Sequence, residues 1–212
     1  MKKVLSLALL LGSLAATASA APYYMTEPSG GDLIPYDWQP VYSVHGIYNW
    51  GGDKSVPDTA GARVNFSLYS NAAETVRHQF SISAGYETGS QSYNAVSLWG
   101  VSRNKSELTK IPLTLAYDLN VAISDNVMLD LSARGGYSFG TIIDKSDLWA
   151  AKSTTHTGGF TYTLGAGLKV YCSDDVYVKL GYEFSRTFFT ENLPSHATFN
   201  QHGIVFGIGC SF

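Results

Sequence analysis

The sequence predicts an all-β chain, an eight-stranded antiparallel transmembrane β-barrel laid out as an up-and-down meander. Three observations predict it. Apolar residues recur at every second position in eight separate segments, and the connections between those segments alternate between short and long. Only 15% of residues are charged, below the usual quarter, yet beyond the first twenty residues no run of about eighteen apolar residues could form a spanning helix. Such a chain must hide its apolar side chains by alternation.

The N-terminus reads as an export signal over residues 1–20. Lys2 and Lys3 supply the positive start, Val4 to Leu11 the apolar stretch, and Ala18-Ser19-Ala20 the small-x-small pattern that directs cleavage between Ala20 and Ala21. The apolar stretch is too short for a membrane anchor. Removing Lys2 and Lys3 from the 14 basic residues leaves 12 against 17 acidic ones. That balance argues against nucleic acid as a partner, which would require a basic face. Residues 21–40 hold four of the seven prolines and read as an N-terminal periplasmic segment, with the barrel covering 41–212.

Each segment shows one apolar face, because strand side chains alternate sides. The first face is Tyr42, Val44, Gly46, Tyr48 and Trp50; the second Ala62, Val64, Phe66 and Leu68; the third Val76, Phe80, Ile82, Ala84 and Tyr86. The fourth runs from Ile111 through Leu113, Leu115, Tyr117 and Leu119 to Val121, and the fifth from Val127 through Leu129, Leu131, Ala133 and Tyr137 to Phe139. The sixth holds Phe160, Tyr162, Leu164, Ala166, Leu168 and Val170, the seventh Val176, Val178, Leu180, Tyr182 and Phe184, and the eighth Ile204, Phe206, Ile208, Cys210 and Phe212. Most segments span roughly ten to thirteen residues, close to what a tilted strand needs to cross a bilayer.

The connections Asn71–Glu74, Ala122–Asn126 and Cys172–Asp175 are short, whereas Gly51–Ala60, Glu87–Leu108, Gly140–Gly158 and Arg186–Asn200 are long. Tight turns at one end and long loops at the other are the pattern of outer-membrane barrels. Glu87–Leu108 is too short for two further crossings, and its alternation around Tyr93–Val101 reads as a hairpin projecting above the membrane. Aromatic residues gather at both ends of the segments, as in the two girdles of a membrane barrel.

At this point the chain resembles the small outer-membrane barrel superfamily of OmpA/OmpX type, over roughly Val41 to Phe212. The most specific stretch is Gly203-Ile204-Val205-Phe206-Gly207-Ile208-Gly209-Cys210-Ser211-Phe212. Through Phe206, Ile208 and the final Phe212 it resembles the signal read by the outer-membrane assembly machinery, which the resemblance makes a partner during biogenesis. Ile111-Pro112-Leu113-Thr114-Leu115-Ala116-Tyr117 is similar to a strand common in these families. The sequence stops at Phe212, so no peptidoglycan-binding domain of the OmpA kind is expected. The resemblance implies fold and location; activity depends on sites grafted onto the barrel.

The faces opposite the apolar ones carry charges of both signs: Arg63, Arg77, Arg134, Lys169 and Lys179 against Asp118, Asp130 and Glu183. Eight strands enclose an interior just wide enough for side chains to fill, so these residues read as a plugging network rather than an ion path. A turn centred near Asp125 sets Arg134 opposite Ala116 and diagonal to Asp118, within reach of a long side chain. Cys172 and Cys210 fall at the same end, and an even cysteine count in an exported chain predicts a disulfide.

Trp99, Trp149, Phe188, Phe189 and Phe199 lie in the long connections, where they form either a surface for an extracellular ligand or a cap on the barrel mouth. None of the five histidines begins a His-x-Ser pair of the lipid A deacylase kind, and no grouping has metal-ligand spacing. The expectation is a non-enzymatic structural or adhesion-type interaction protein of the outer membrane, without cofactor and in contact with outer-membrane lipids. A lipid-modifying barrel hydrolase and a narrow channel are the alternatives.

Overall fold

A computed structural model describes residues 38–51, 57–70, 76–97, 100–146, 151–173, 175–190 and 197–211. The signal with its cleavage point Ala20–Ala21, the rest of residues 1–37, Trp99, Trp149 and Phe212 lie outside the described residues.

Eight strands follow one another: β1 (Trp38–Gly51), β2 (Thr59–Ser70), β3 (Val76–Ser97), β4 (Gly100–Ser124), β5 (Val127–Ser146), β6 (Ala151–Tyr171), β7 (Val176–Phe189) and β8 (Ala197–Ser211). Each pairs antiparallel with the next, and β1 pairs with β8 from Val41↔Ser211 to Gly51↔Gln201, closing the barrel. Closure leaves no sheet edge to face hydrocarbon, where unpaired N–H and C=O groups would cost several kcal/mol each.

The distribution of polarity is inverted relative to a soluble protein. Leu115 is 66% and Ile82 64% exposed on the outer wall, while Asn120 and Asp130 are fully enclosed inside. Outward aromatic pairs mark both rims: Tyr42–Phe66 and Phe80–Tyr117 toward the short turns, Trp50–Tyr182 and Tyr162–Phe184 toward the long connections.

Apart from β2, with 12 residues, the strands exceed the expected ten to thirteen. β3, β4, β5 and β6 have 22, 25, 20 and 21. The ladder of β3 and β4 continues to Ser97↔Gly100, and that of β5 and β6 to Ser146↔Ala151. Most of the two longest connections is therefore paired strand. Once two strands are in register, each further residue pair satisfies its backbone groups locally, and β-branched stretches such as Thr141-Ile142-Ile143 and Thr154-Thr155 favour extension. β1 likewise begins at Trp38, three residues before the boundary expected at 41.

Two local features shape the wall. Pro112 has no N–H to give, and the β3–β4 register skips from Ala84↔Leu113 to Glu87↔Lys110 around it. Three inward positions of β8 are glycine (Gly203, Gly207 and Gly209), and a Cβ at Gly207 would collide with the His45 ring and one at Gly209 with the Tyr177 ring. Side chains from neighbouring strands thus fold over β8.

The expected disulfide does not form: Cys172 and Cys210 are free thiols. Cys210 pairs with Val176 on one side of β7, while the Cys172 N–H reaches the Val176 carbonyl on the other at 2.8 Å. With Val176 between them, the two are separated by two strand spacings, each about 4.8 Å, beyond the ~7 Å limit for a bridge. Mass spectrometry of non-reduced protein taken from the membrane should find both thiols free; loss of two hydrogens would contradict this geometry.

Candidate functional site

The lumen is filled by three tiers of charge, held by the inward faces of different strands. Nearest the short turns, Asp130 on β5 receives Lys169 of β6 at 2.8 Å and also contacts Lys179 of β7. These two lysines sit directly opposite each other in the β6–β7 ladder, so the carboxylate separates two like charges that would otherwise repel. Lys169 also donates to Gln79 Oε1 at 2.8 Å and Asn120 Oδ1 at 2.7 Å, and lies over the Tyr177 ring.

The middle tier crosses the barrel. Arg63 on β2 holds Glu183 on β7 with both terminal guanidinium nitrogens, at 3.0 and 2.6 Å. A bidentate pair fixes orientation as well as charge. Arg134 on β5 reaches Asp118 at 3.4 Å, Glu183 at 3.7 Å and the Asn65 carbonyl oxygen at 3.2 Å. Ala116, Arg134's register partner, leaves room for it to turn diagonally.

The upper tier pairs Lys110 on β4 with Glu87 on β3 at 3.0 Å. Asn49 and Thr59 donate to the same carboxylate, and Lys110 donates to Gln201. Between the middle and upper tiers is a void of about 20 Å³ lined by Arg63, Glu87, Lys110 and Glu183, room for about one water.

Of the charges assigned inward from the sequence, the structure brings Arg63, Asp118, Asp130, Arg134, Lys169, Lys179 and Glu183 into these tiers. Arg77 stands apart, over the Tyr171 ring near the short-turn rim. Glu87 and Lys110 were missed, because both lie where a loop was expected to begin or end. Parity was the available signal: Glu87 continues Ser81, Ser83 and Gly85, and Lys110 precedes Pro112, Thr114 and Asp118 on the inward face.

Phe188 and Phe189 end β7, and Phe199 lies in β8. They are strand residues, which corrects their placement in a loop. Phe189 is fully enclosed and meets Phe199 edge-on at 5.0 Å, whereas Phe188 lies under the Arg186 guanidinium at 4.8 Å. Phe189 and Phe199 thus cap the lumen instead of projecting from it.

Four of the five histidines lie among the described residues, and each has a neutral partner. The Asn65 amide donates to His45, and His78, His156 and His202 meet Tyr117, Thr141 and Tyr182 through hydroxyl groups. Among the described residues, no group of three His, Cys, Asp or Glu side chains is arranged to hold a metal ion.

On the outer wall beyond the girdle, Glu107 accepts Lys145 and Lys105, each at 2.9 Å. Those hydrogen bonds, that from Lys145 foremost, hold its carboxyl down at about 2.

A family model described as outer membrane protein beta-barrel domain matches residues 4–212. Similar solved structures include Neisserial surface protein A (14% identity, TM-score 0.48), with 82% of this chain and 97% of that one covered. The N-terminal barrel domain of Pseudomonas aeruginosa OprF shows 15% identity and a TM-score of 0.44 over 82% and 99% of the two chains. The attachment invasion locus protein Ail of Yersinia pestis shows 10% identity and a TM-score of 0.45 over 83% and 98%. Comparison with curated protein sequences found no match.

Proposed function

We propose, from the premise that this chain belongs to the outer membrane protein beta-barrel domain family, that it is a non-conducting, non-enzymatic interaction protein of the outer membrane, of the adhesion type. One observation carries this reading. The lumen is closed by ion pairs and an aromatic cap, while two long hairpins extend well past the girdle at the same end. A sealed interior leaves the outward-projecting hairpins as the place for a partner, since short turns face the periplasm and long connections the exterior. An extracellular ligand is the partner class this implies.

The channel and hydrolase alternatives make different demands. A channel needs a continuous wet path, and paired charges with a one-water void do not provide one. A hydrolase of the serine type needs a histidine relayed between serine and carboxylate, whereas the four described histidines meet amide, phenol and threonine groups.

Purified protein in planar bilayers should give no unitary conductance steps, and incubation with acyl-labelled lipopolysaccharide should release no label. Regular steps would favour the channel, and released acyl chains the hydrolase. Cells displaying the chain should adhere to some member of a panel of matrix proteins and cell monolayers. Replacing residues 90–106 by a tight turn should remove that adherence while the barrel still assembles; equal adherence would defeat the hairpin as the interacting element.

A further inference from the structure

Beyond the girdle, the outer wall of β4, β5 and β6 changes character outward from apolar to hydroxyl-bearing to basic, with one mixed row of Glu107, Ile143 and Thr154 before the basic one. Ile111 pairs with Phe139, the last large apolar residues on the outer faces of β4 and β5 within the girdle. Two residues further out, Thr109, Thr141 and His156 are register partners on the three strands, and Thr141 Oγ1 lies 3.2 Å from His156 Nδ1. A groove of about 300 Å³ opens there, lined by Thr109, Ile111, Phe139, Thr141 and His156. Two rows further still, Lys105, Lys145 and Lys152 are register partners, all exposed on the outer wall.

Three ammonium groups in one row are not what a ladder selects for its own stability, because like charges directly opposite repel. Glu107, in the row between, takes hydrogen bonds from Lys105 and Lys145, and one carboxylate leaves the row with excess positive charge. Arg103, exposed one position further out on the same face of β4, adds to it. The excess is local, since the whole chain is acidic.

The order of the rows describes an amphiphile. Acyl chains would lie on the apolar wall, hydroxyl-rich groups would meet the threonine–histidine row, and anionic groups would meet the lysines. Six residues separate the Ile111/Phe139 row from the lysines, about 20 Å along a strand and roughly 15 Å along the membrane normal at the usual tilt. A headgroup carrying its phosphate directly at the acyl boundary would not reach that far; a phosphorylated glycan would. We propose that this wall binds a phosphorylated glycolipid of the outer leaflet, with its sugars against Thr109, Thr141 and His156 and its outer phosphates bridged across Lys105, Lys145 and Lys152. The site is separate from the hairpin tips and does not depend on what they bind.

The test uses the full mature chain folded in zwitterionic detergent, titrated with lipopolysaccharide bearing a phosphorylated core and followed by native mass spectrometry. The triple variant Lys105→Gln, Lys145→Gln, Lys152→Gln should bind about a hundredfold more weakly, given that each basic side chain near an anionic lipid surface contributes about a factor of five. Glu107→Gln should bind more tightly than wild type, a gain that a misfolded protein could not give. Lipopolysaccharide with a dephosphorylated core should bind the wild type about as weakly as intact lipid binds the triple variant. Unchanged binding by the triple variant, or equal binding of the dephosphorylated lipid, would overturn the proposal. Soluble core oligosaccharide binding as tightly as the whole lipid would also overturn it, by making the occupant a soluble polyanion.

Discussion

Replacing Asp130 by Asn should destabilise the barrel by about 3–5 kcal/mol, the cost of removing one partner from a buried ion pair. The carboxylate is fully enclosed and serves two lysines that face each other across β6 and β7. Without it, Lys169 retains the Gln79 and Asn120 carbonyl oxygens, but Lys179 is left beside a like charge. Equilibrium unfolding in urea, in detergent or lipid vesicles, should show the loss as a lower midpoint. Adding Lys179→Met to the Asp130→Asn variant should recover a large part, because it removes the stranded charge. A midpoint unchanged by Asp130→Asn would mean the lower tier contributes little.

Glu183→Ala should have an effect of similar size, about 3–5 kcal/mol, for a different reason. Its carboxylate joins Arg63 from across the lumen to Arg134 on β5. Arg134 keeps Asp118 and Asn65; Arg63 loses its bidentate partner. Arg63→Met combined with Glu183→Met should therefore cost clearly less than Glu183→Ala alone, since a buried pair replaced on both sides leaves no unpaired charge. The same unfolding measurement reads both. A double variant worse than the single one would show that this pair is worth more than its desolvation.

The fold was legible because the membrane imposes a rule that each strand must obey independently. Tyr42 to Trp50 or Leu115 to Val121 need only alternate, and alternation is visible without knowing any partner. Length was less legible. Nothing in the bilayer limits a hairpin outside it, so the apolar pattern shows where β3 and β4 leave the membrane and not how far their pairing runs; the alternation around Tyr93–Val101 announced that hairpin, but not its unbroken continuation from the barrel wall. Glu87 and Lys110 were lost for that reason, as they lie where apolar alternation stops and pairing does not.

Within the lumen, parity identified which charges point inward, and the β4–β5 turn was short enough to align Arg134 with Ala116. The Arg63–Glu183 pair was beyond reach, because it joins strands that are not neighbours and depends on barrel diameter. The cysteines show the opposite failure. Their shared end of the barrel was visible, but β7 lies between them, and a pairing argument based on compartment carries no lateral distance.

The glycine face of β8 bears on how the barrel closes. Joining β8 to β1 unites residues 150 to 170 positions apart in the chain, the kind of distant pairing that forms slowly. If β8 carried long inward side chains at Gly203, Gly207 and Gly209 as it does at Phe199 and Gln201, they would have to interdigitate with a lumen already crowded by Arg63, Glu183 and Lys169. Gly203, Gly207 and Gly209 instead present bare backbone, over which His45, Tyr177 and Asn49 settle from the adjoining strands. The seam can thus zip along its hydrogen bonds without waiting for the interior to rearrange. A bulky residue at Gly207 would act chiefly as an obstacle to that last step, slowing assembly even where the rest of the barrel had formed.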